Sequence, residues 1–313
     1  MTKSSAFLQR LRRAVRGKSL QDEPLRNHTS FHVGGPADIL FYPVDGDDAA
    51  AALEAAYNEG EQVFIMGNGT NLLVRDGGIR GLTLHTGALQ GIEEENDADP
   101  GEGGKVPLSA LSGTFLSRII NYSVGRGLSG LEFAAGIPGT VGGAACMNAG
   151  AHGSSFGDIV AWAEVADMEG RTHCFRKEEI EFSYRGSRWP CEGVITKIGF
   201  SLFQLEEAKV LEKVKHCLSE RGKRLPLGVG MAGSVFKNPE GDFAGRIIES
   251  VGLKGRRVGQ TEISRKHANV IVNLGGGTAR EILQLVEEVA RKVKDETGIG
   301  LETEIKCVGE DAR

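Results

Sequence analysis

The 313 residues suffice for two or three domains around a substantial core. A net charge of −5 and an isoelectric point of about 5.9 argue against a general nucleic-acid binder, whose domains usually carry a basic stripe and a pI above ~9. The cysteines (Cys146, Cys174, Cys191, Cys217 and Cys307) are odd in number and form no CxxC pair, and no apolar run approaches the ~18 residues of a membrane span; a cytoplasmic protein with reduced thiols and no metal is expected.

In chain order, the first elements read as follows. Arg10, Arg12, Arg13, Arg16 and Lys18, set beside Phe7, Leu8, Leu11 and Val15, predict a solvated amphipathic helix over residues 1–23; a transit peptide or membrane-touching helix is the alternative. Residues 24–42 read as extended, interrupted at Gly34–Gly35–Pro36. Asp47–Glu59 is alanine-rich and helical, with Asp45 or Asp47 at the cap and Gly60 as the stop. Val63–Gly67 is a short buried strand that runs into a glycine loop, the place where ligands collect in open α/β sheets. Gly81–Thr86 is another strand, and residues 91–105 are a polar loop or hairpin.

A helix over residues 109–125 and strands at Ile159–Met168, Arg171–Phe175 and Val194–Leu205 follow. Residues 206–222 form a helix with Val210, Val214 and Leu218 on one stripe. A short helix at Phe243–Val251 and a strand at Asn269–Asn273 come next. The helix Ala279–Thr297 has a capping box in Thr278 and Glu281 and an apolar face of Ile282, Leu285, Val286, Val289 and Val293. Leu301–Val308 closes the chain as a strand, with Glu302, Glu304 and Lys306 on one face.

Glycine contributes 45 residues, about double its usual ~7% share. Seven of them lie in Gly130–Gly153, GLEFAAGIPGTVGGAACMNAGAHG. Missing side chains let main-chain amides approach a bulky ligand, and successive bare N–H groups form a concavity for a diphosphate. Pro138–Gly139 gives a rigid turn, and the Asn148 amide offers a donor and an acceptor to a flat heterocycle. A tightly packed glycine-rich helix contact is the alternative. GNGTNLLV (Gly67–Val74) resembles the start of a dinucleotide fingerprint, but Leu72 stands at the third glycine, so a plain turn competes with a phosphate cradle. In GSVFKNP, Ser234, Lys237 and Asn238 supply a hydroxyl, an ammonium and an amide. Ser234 by itself reads as a turn residue, Arg185 as a surface ion-pair partner, Glu304 as a solvated edge residue and His152 as a polar wall residue. The residues alone stop at an α/β protein with phosphate-cradling loops.

From about Pro24 to Gly309 the chain resembles the UDP-N-acetylenolpyruvoylglucosamine reductases, flavoenzymes of bacterial peptidoglycan precursor synthesis. NHTSFHVGGPAD, MGNGTNLLV, GLEFAAGIPGTVGGAACMNAGA, FSYRGS, AGSVFKNP, AGRIIESVGL, KHANVIVN and LETEIK fall in the family's order. The resemblance implies an α+β chain with a vanillyl-alcohol-oxidase/PCMH-type FAD-binding fold of two subdomains and a C-terminal α+β substrate-binding domain. The corresponding boundaries are a basic helix over 1–23, an FAD-binding domain over 24–205 (subdomains about 24–88 and 89–205) and a substrate domain over 206–313.

It implies bound FAD, NADPH as co-substrate, and a monomer without nucleic-acid or membrane partners. Gly67, Asn68, Gly69, Thr70, Asn71, Leu72 and Leu73 would cradle the FAD diphosphate. Ala135, Gly136, Pro138, Gly139, Gly142, Gly143, Asn148, Gly150 and Ala151 would wall the rest of the cofactor. Ser234 matches the family's proton donor, Glu304 its catalytic acid and Arg185 its catalytic arginine. Lys237 and Asn238 match substrate contacts, and Arg221 and Arg224 are diphosphate candidates.

The chain departs from the pattern at His152, where tyrosine is expected. It also departs at residues 186–192, which join the Arg185 segment directly to the next strand without an inserted tyrosine loop, so it reads as the shorter branch of the family. An FAD-dependent oxidase and a non-catalytic flavin-binding protein are the competing readings; the Ser234, Arg185 and Glu304 set favours the reductase, since a binding module needs none of the three.

Overall fold

The computed structural model describes residues 3–94, 105–226 and 228–312. The chain forms two compact units. Unit 1 takes Met1–Gln21, Ile39–Asn68 and Gly81–Arg221; unit 2 takes Asp22–Asp38, Gly69–Arg80 and Gly222–Arg313. Two early segments therefore fold with the C-terminal residues, a long-range partnership that composition along the chain does not reveal.

Unit 1 begins with α1 (Lys3–Ala14) and α2 (Gly46–Glu59). The expected helix over 1–23 ends at Ala14, and Lys18–Pro24 is a strand instead. Phe7, Leu8 and Leu11 share one face of α1 and are buried with Ala49, Ala52 and Leu53 of α2, while Arg10 pairs with Glu59 at 2.5 Å. The apolar face is thus spent inside the protein, at ~1.5–3 kcal/mol for each fully buried Phe or Leu. The Asp45 side chain accepts from the Asp48 amide at the start of α2, and Gly60 closes the helix in the left-handed conformation. Beneath lies a four-stranded sheet in the order Lys18–Pro24, Pro36–Tyr42, Ile79–His85, Val63–Met66, the last two strands parallel.

The second sheet of unit 1 orders Thr172–Arg176, Val160–Asp167, Gly193–Gln204, Lys105–Leu111 and Ile92–Glu94, all antiparallel, with Leu128–Ser129 pairing beside them. Lys105–Leu111 corrects the expected helix over 109–125. Leu108 and Ala110 are buried at alternate positions in the sheet, and helix α3 starts only at Leu116 (Leu116–Gly125) after the Ser112–Gly113–Thr114 turn. Residues 95–104 of the expected polar loop lie outside the described residues. Helix α4 (Val141–Cys146) interrupts the glycine-rich segment. In α5 (Glu207–Arg224) the buried stripe is Val210, Val214 and Cys217; Leu218, expected on it, is exposed.

Unit 2 packs α6 (Ala244–Ser250) and α7 (Ala279–Thr297) with an antiparallel sheet of Arg257–Val258, Thr261–Ile263 and Ile271–Asn273. Phe31, Val33 and Leu73, from the early segments, join that core with Ile282, Leu285 and Val289. The capping box of α7 forms as expected: Thr278 Oγ1 accepts from the Glu281 amide and Glu281 Oε2 from the Thr278 amide, each at 3.2 Å. Asp76 adds a second cap, its two oxygens accepting from the amides of Ala279 and Arg280 at 2.9 and 3.0 Å. The expected strand Leu301–Val308 is shorter. Lys306–Val308 forms the strand, in parallel with Leu72–Val74, Thr303 makes an isolated bridge to Phe236, and Ile305 is buried while Cys307 is exposed.

Candidate active site

In unit 1, strand Val63–Met66 delivers the chain to Gly67, where a Cβ would stand 2.8 Å from Thr140 Oγ1. Thr140 precedes α4. Its neighbours anchor that turn: the Val141 amide donates to the Thr114 carbonyl at 2.9 Å and the Gly142 amide to the Ser112 carbonyl at 2.8 Å. A Cβ on Gly142 would lie 2.8 Å from Ser112 Cβ. Glycine at both positions is therefore a requirement of close approach. The Thr140 and Ser112 hydroxyls are buried with no hydrogen-bond partner among the described residues. Each leaves a desolvation cost of about 1–3 kcal/mol that a polar ligand would remove. Two orphaned hydroxyls beside two obligatory glycines fit a phosphate-bearing cofactor. Ser112, in LSGTF, matches no motif, and only its missing partner reveals it.

The remaining cofactor-side residues are spread around this turn. Ala135 is buried, Gly139 accepts from the Leu116 amide at 3.1 Å, and a Cβ on Gly143 would meet Thr140 Oγ1 at 3.5 Å. Pro138 stands next to Gly139 in the turn before Thr140. Gly136 lies beneath Arg221 Cδ, to which a Cβ would stand 2.9 Å away. Burial lowers the Arg221 guanidinium's proton affinity, and the like charge of Arg185 lowers it further. Two guanidiniums that repel one another invite an anion.

Asn148 is held by the main chain at both ends of its amide. Its amide Nδ2 donates to the Ser183 carbonyl at 2.8 Å and its Oδ1 accepts from the Gly157 amide at 2.8 Å, so both ends already serve the main chain. The bond to Ser183 holds a two-stranded hairpin, Glu181–Ser183 with Gly186–Arg188, whose turn carries Arg185 at φ 58°. Arg185 Nη1 donates to the Gly150 carbonyl at 3.0 Å, and its guanidinium lies 5.1 Å from the Tyr184 ring centre. Ser187 clamps the other strand to the end of α4 by donating to the Ala145 and Cys146 carbonyls at 3.0 and 2.9 Å. Gly150–Ala151 pairs with Ser154–Ser155, leaving His152 exposed at the intervening turn.

The expected phosphate loop is divided: Gly67 and Asn68 fall in unit 1, and Gly69–Leu73 in unit 2. In unit 2, Gly69 accepts from the Ser30 amide at 3.2 Å, Thr70 and Leu72 are partly buried, and Leu73 enters the core. Ser234 and Glu304, seventy positions apart, are brought onto adjacent segments. Phe236 and Thr303 form an antiparallel bridge, the Glu304 amide donates to the Val235 carbonyl at 2.7 Å, and the Lys237 amide donates to the Glu302 carbonyl at 2.8 Å. Asn269, which sequence reasoning did not single out, locks the serine segment. Its side chain bonds both the amide and the carbonyl of Phe236, at 2.9 and 2.8 Å, and its carbonyl accepts from the Val235 amide at 2.9 Å.

The expected substrate contacts have protein partners. Lys237 Nζ pairs with Glu302 at 2.5 Å, and Asn238 Oδ1 accepts from the Ala244 amide at the start of α6. The Arg224 side chain lies outside the described residues. Among the described residues no group of three or more His, Cys, Asp or Glu could hold a metal ion, and no helix is long and apolar enough to cross a membrane.

Two family models match the chain. An FAD-binding domain covers residues 37–175, and the C-terminal domain of UDP-N-acetylenolpyruvoylglucosamine reductase covers 225–308. The fold and the cradle define an FAD-dependent oxidoreductase. The reductase of Moorella thermoacetica is 41% identical over 98% of both chains. That of Rubrobacter xylanophilus is 42% identical over 92% of this chain and 95% of its own. The crystal structure of UDP-N-acetylenolpyruvylglucosamine reductase from Thermus caldophilus superposes with a TM-score of 0.76 at 33% identity, over 93% of this chain and 98% of that one. The chain belongs to the UDP-N-acetylenolpyruvoylglucosamine reductase family. The FAD-binding fold and C-terminal α+β domain expected from the sequence are both borne out.

Proposed function

We propose that Ser234, Glu304 and Arg185 carry the chemistry of this flavoenzyme. The reaction is the NADPH-dependent, FAD-mediated reduction of the enolpyruvyl ether of UDP-N-acetylglucosamine to UDP-N-acetylmuramate, a step of peptidoglycan precursor synthesis. When bound, FAD supplies hydride transfer between NADPH and the enolpyruvyl double bond.

Thr140, Ser112, Gly67, Gly139 and Gly142 would hold the cofactor in unit 1, with Gly136, Gly143, Gly150 and Ala151 lying along its walls; the resemblance also gives Gly69–Leu73 as diphosphate contacts. Arg185 grips the substrate carboxylate. A guanidinium stays charged at any working pH and bonds a carboxylate through two parallel N–H groups, so it stabilises the negative charge that develops there as C3 is reduced. The Ser234 hydroxyl gives its proton to C2. Beside the same carboxylate, Glu304 would help only when protonated or hydrogen-bonded, since two bare anions repel. Arg221, with no carboxylate partner among the described residues, serves a phosphate, and Lys237 and Asn238 contact the nucleotide-sugar by exchanging their present partners.

The observation that supports this reading most is the bridge between Phe236 and Thr303, which puts the Ser234 and Glu304 segments side by side. The test is NADPH consumption with the enolpyruvyl substrate. The protein turns over, and Ser234→Ala loses about 10²–10⁴ in rate; near-normal turnover in that variant would refute the proton-donor role. We further propose a cytoplasmic monomer that engages no nucleic acid. The net charge of −5 supports the last point, and sedimentation checks the first.

A further inference from the structure

The main chain of Glu304 is gripped on two sides. Its amide donates to the Val235 carbonyl at 2.7 Å, in the segment that carries Ser234. Its carbonyl accepts from Asn71 Nδ2 at 3.1 Å. The Asn71 carbonyl in turn accepts from the Lys306 amide at 2.9 Å, so a single residue holds the peptide groups on both flanks of buried Ile305. From there Leu72–Val74 runs in register with Lys306–Val308, a pairing only three residues long.

Asn71 belongs to the glycine loop, where a carboxamide is ordinarily read as a phosphate ligand. Its side-chain N–H is directed instead to the segment bearing the carboxylate. We propose that Asn71 is a positioning residue that acts through Glu304, fixing the peptide from which that carboxylate extends. The inference rests on the assignment of Glu304 as catalytic acid. Its physical basis is that a three-residue parallel pair is a weak anchor, whereas a misplacement of ~1 Å at a reacting group costs about a hundredfold in rate.

The test uses holoenzyme forms of Asn71→Ala, Asn71→Asp, Glu304→Gln and the double variant Asn71→Ala/Glu304→Gln. Each is bleached with NADPH without oxygen and then given the enolpyruvyl substrate. In Asn71→Ala the limiting rate of colour return falls by about tenfold or more relative to the rate of bleaching in the same variant, while half-saturation by substrate moves by less than about twofold. In the Glu304→Gln background, Asn71→Ala costs less than about twofold more, because the two residues act as one unit.

Losses that multiply overturn the proposal. So does a rise of about tenfold or more in the FAD dissociation constant, read from flavin fluorescence, with both colour changes impaired together; that result makes Asn71 a cofactor ligand. Asn71→Asp keeps the side chain's size and removes the donor, so it gives the same reading where Asn71→Ala does not fold. Loss of folded protein in both makes Asn71 structural only and also overturns the proposal. If Glu304→Gln itself recovers colour at the normal rate, the assignment of Glu304 falls. If it is slow and Asn71→Ala is not, only the present inference falls.

Discussion

Glu304 donates its amide hydrogen to the carbonyl of Val235 at 2.7 Å, one residue beyond Ser234. A backbone bond of ordinary length thereby ties the glutamate and serine segments, and the Asn269 amide, bonded on both sides of Phe236, keeps the serine segment in place. The two segments are set beside one another by main-chain pairing within unit 2.

The cofactor cradle is testable through its orphaned hydroxyl. Thr140→Val keeps the shape and deletes a buried hydroxyl that has no partner among the described residues. The apoprotein is expected to be as stable as the parent or up to ~1 kcal/mol more so, whereas FAD binding weakens about tenfold. Urea unfolding of the apoprotein and fluorescence titration with FAD check the two halves. Weaker apoprotein with unchanged FAD affinity would place the hydroxyl in the fold alone.

Asn148 serves the Arg185 hairpin. Asn148→Ala leaves the Ser183 carbonyl and the Gly157 amide without their partners and is expected to cost about 1–3 kcal/mol of stability. Because the same hairpin turn carries Arg185, activity falls as well; the denaturant midpoint and the limiting turnover rate are measured on one preparation.

Asp76 caps α7 from a distant segment. Asp76→Ala removes the acceptor for the amides of Ala279 and Arg280 and is expected to cost about 0.5–2 kcal/mol, read from urea unfolding. Thr278→Ala, which breaks the capping box at the same helix end, gives the matching comparison.

Asp167 sets an acid sensitivity. Its carboxyl is held below the ordinary carboxylate range chiefly by the hydrogen bond to His173, 2.7 Å away, and then by Arg171 and the amide of Glu169. A group whose folded pKa lies below its unfolded one stabilises the fold above the unfolded value, ~3.9, and loses that contribution as pH falls through the folded value. Asp167→Asn is therefore less stable than the parent at pH 7, and the gap narrows below about pH 4. A constant gap between the two proteins' thermal midpoints from pH 7 to pH 3 would contradict this.

Much of this was legible in the sequence. Ala279–Thr297 has a clean helical period and reciprocal caps, so its boundaries follow from local chemistry alone. The glycine-rich Gly130–Gly153 segment announces close approach, but helix α4 hides inside it because glycine and alanine give no amphipathic pattern. Part of Lys105–Leu111 reads as helix in the sequence because its strand partner, Gly193–Gln204, lies some ninety residues on. The same limit conceals Asn269 and the bond from Asn71 to Glu304: each is defined by a partner distant in sequence, and a motif names residues without naming what they touch. Ser112 is hidden for the opposite reason, since only a buried hydroxyl without a partner among the described residues marks it.

The most direct measurement is the pair of colour changes in Ser234→Ala without oxygen. The account predicts yellow protein that NADPH bleaches and that the enolpyruvyl substrate fails to restore, with colour return slower by about 10²–10⁴ than in the parent. Colour that returns at the parent's rate would contradict it.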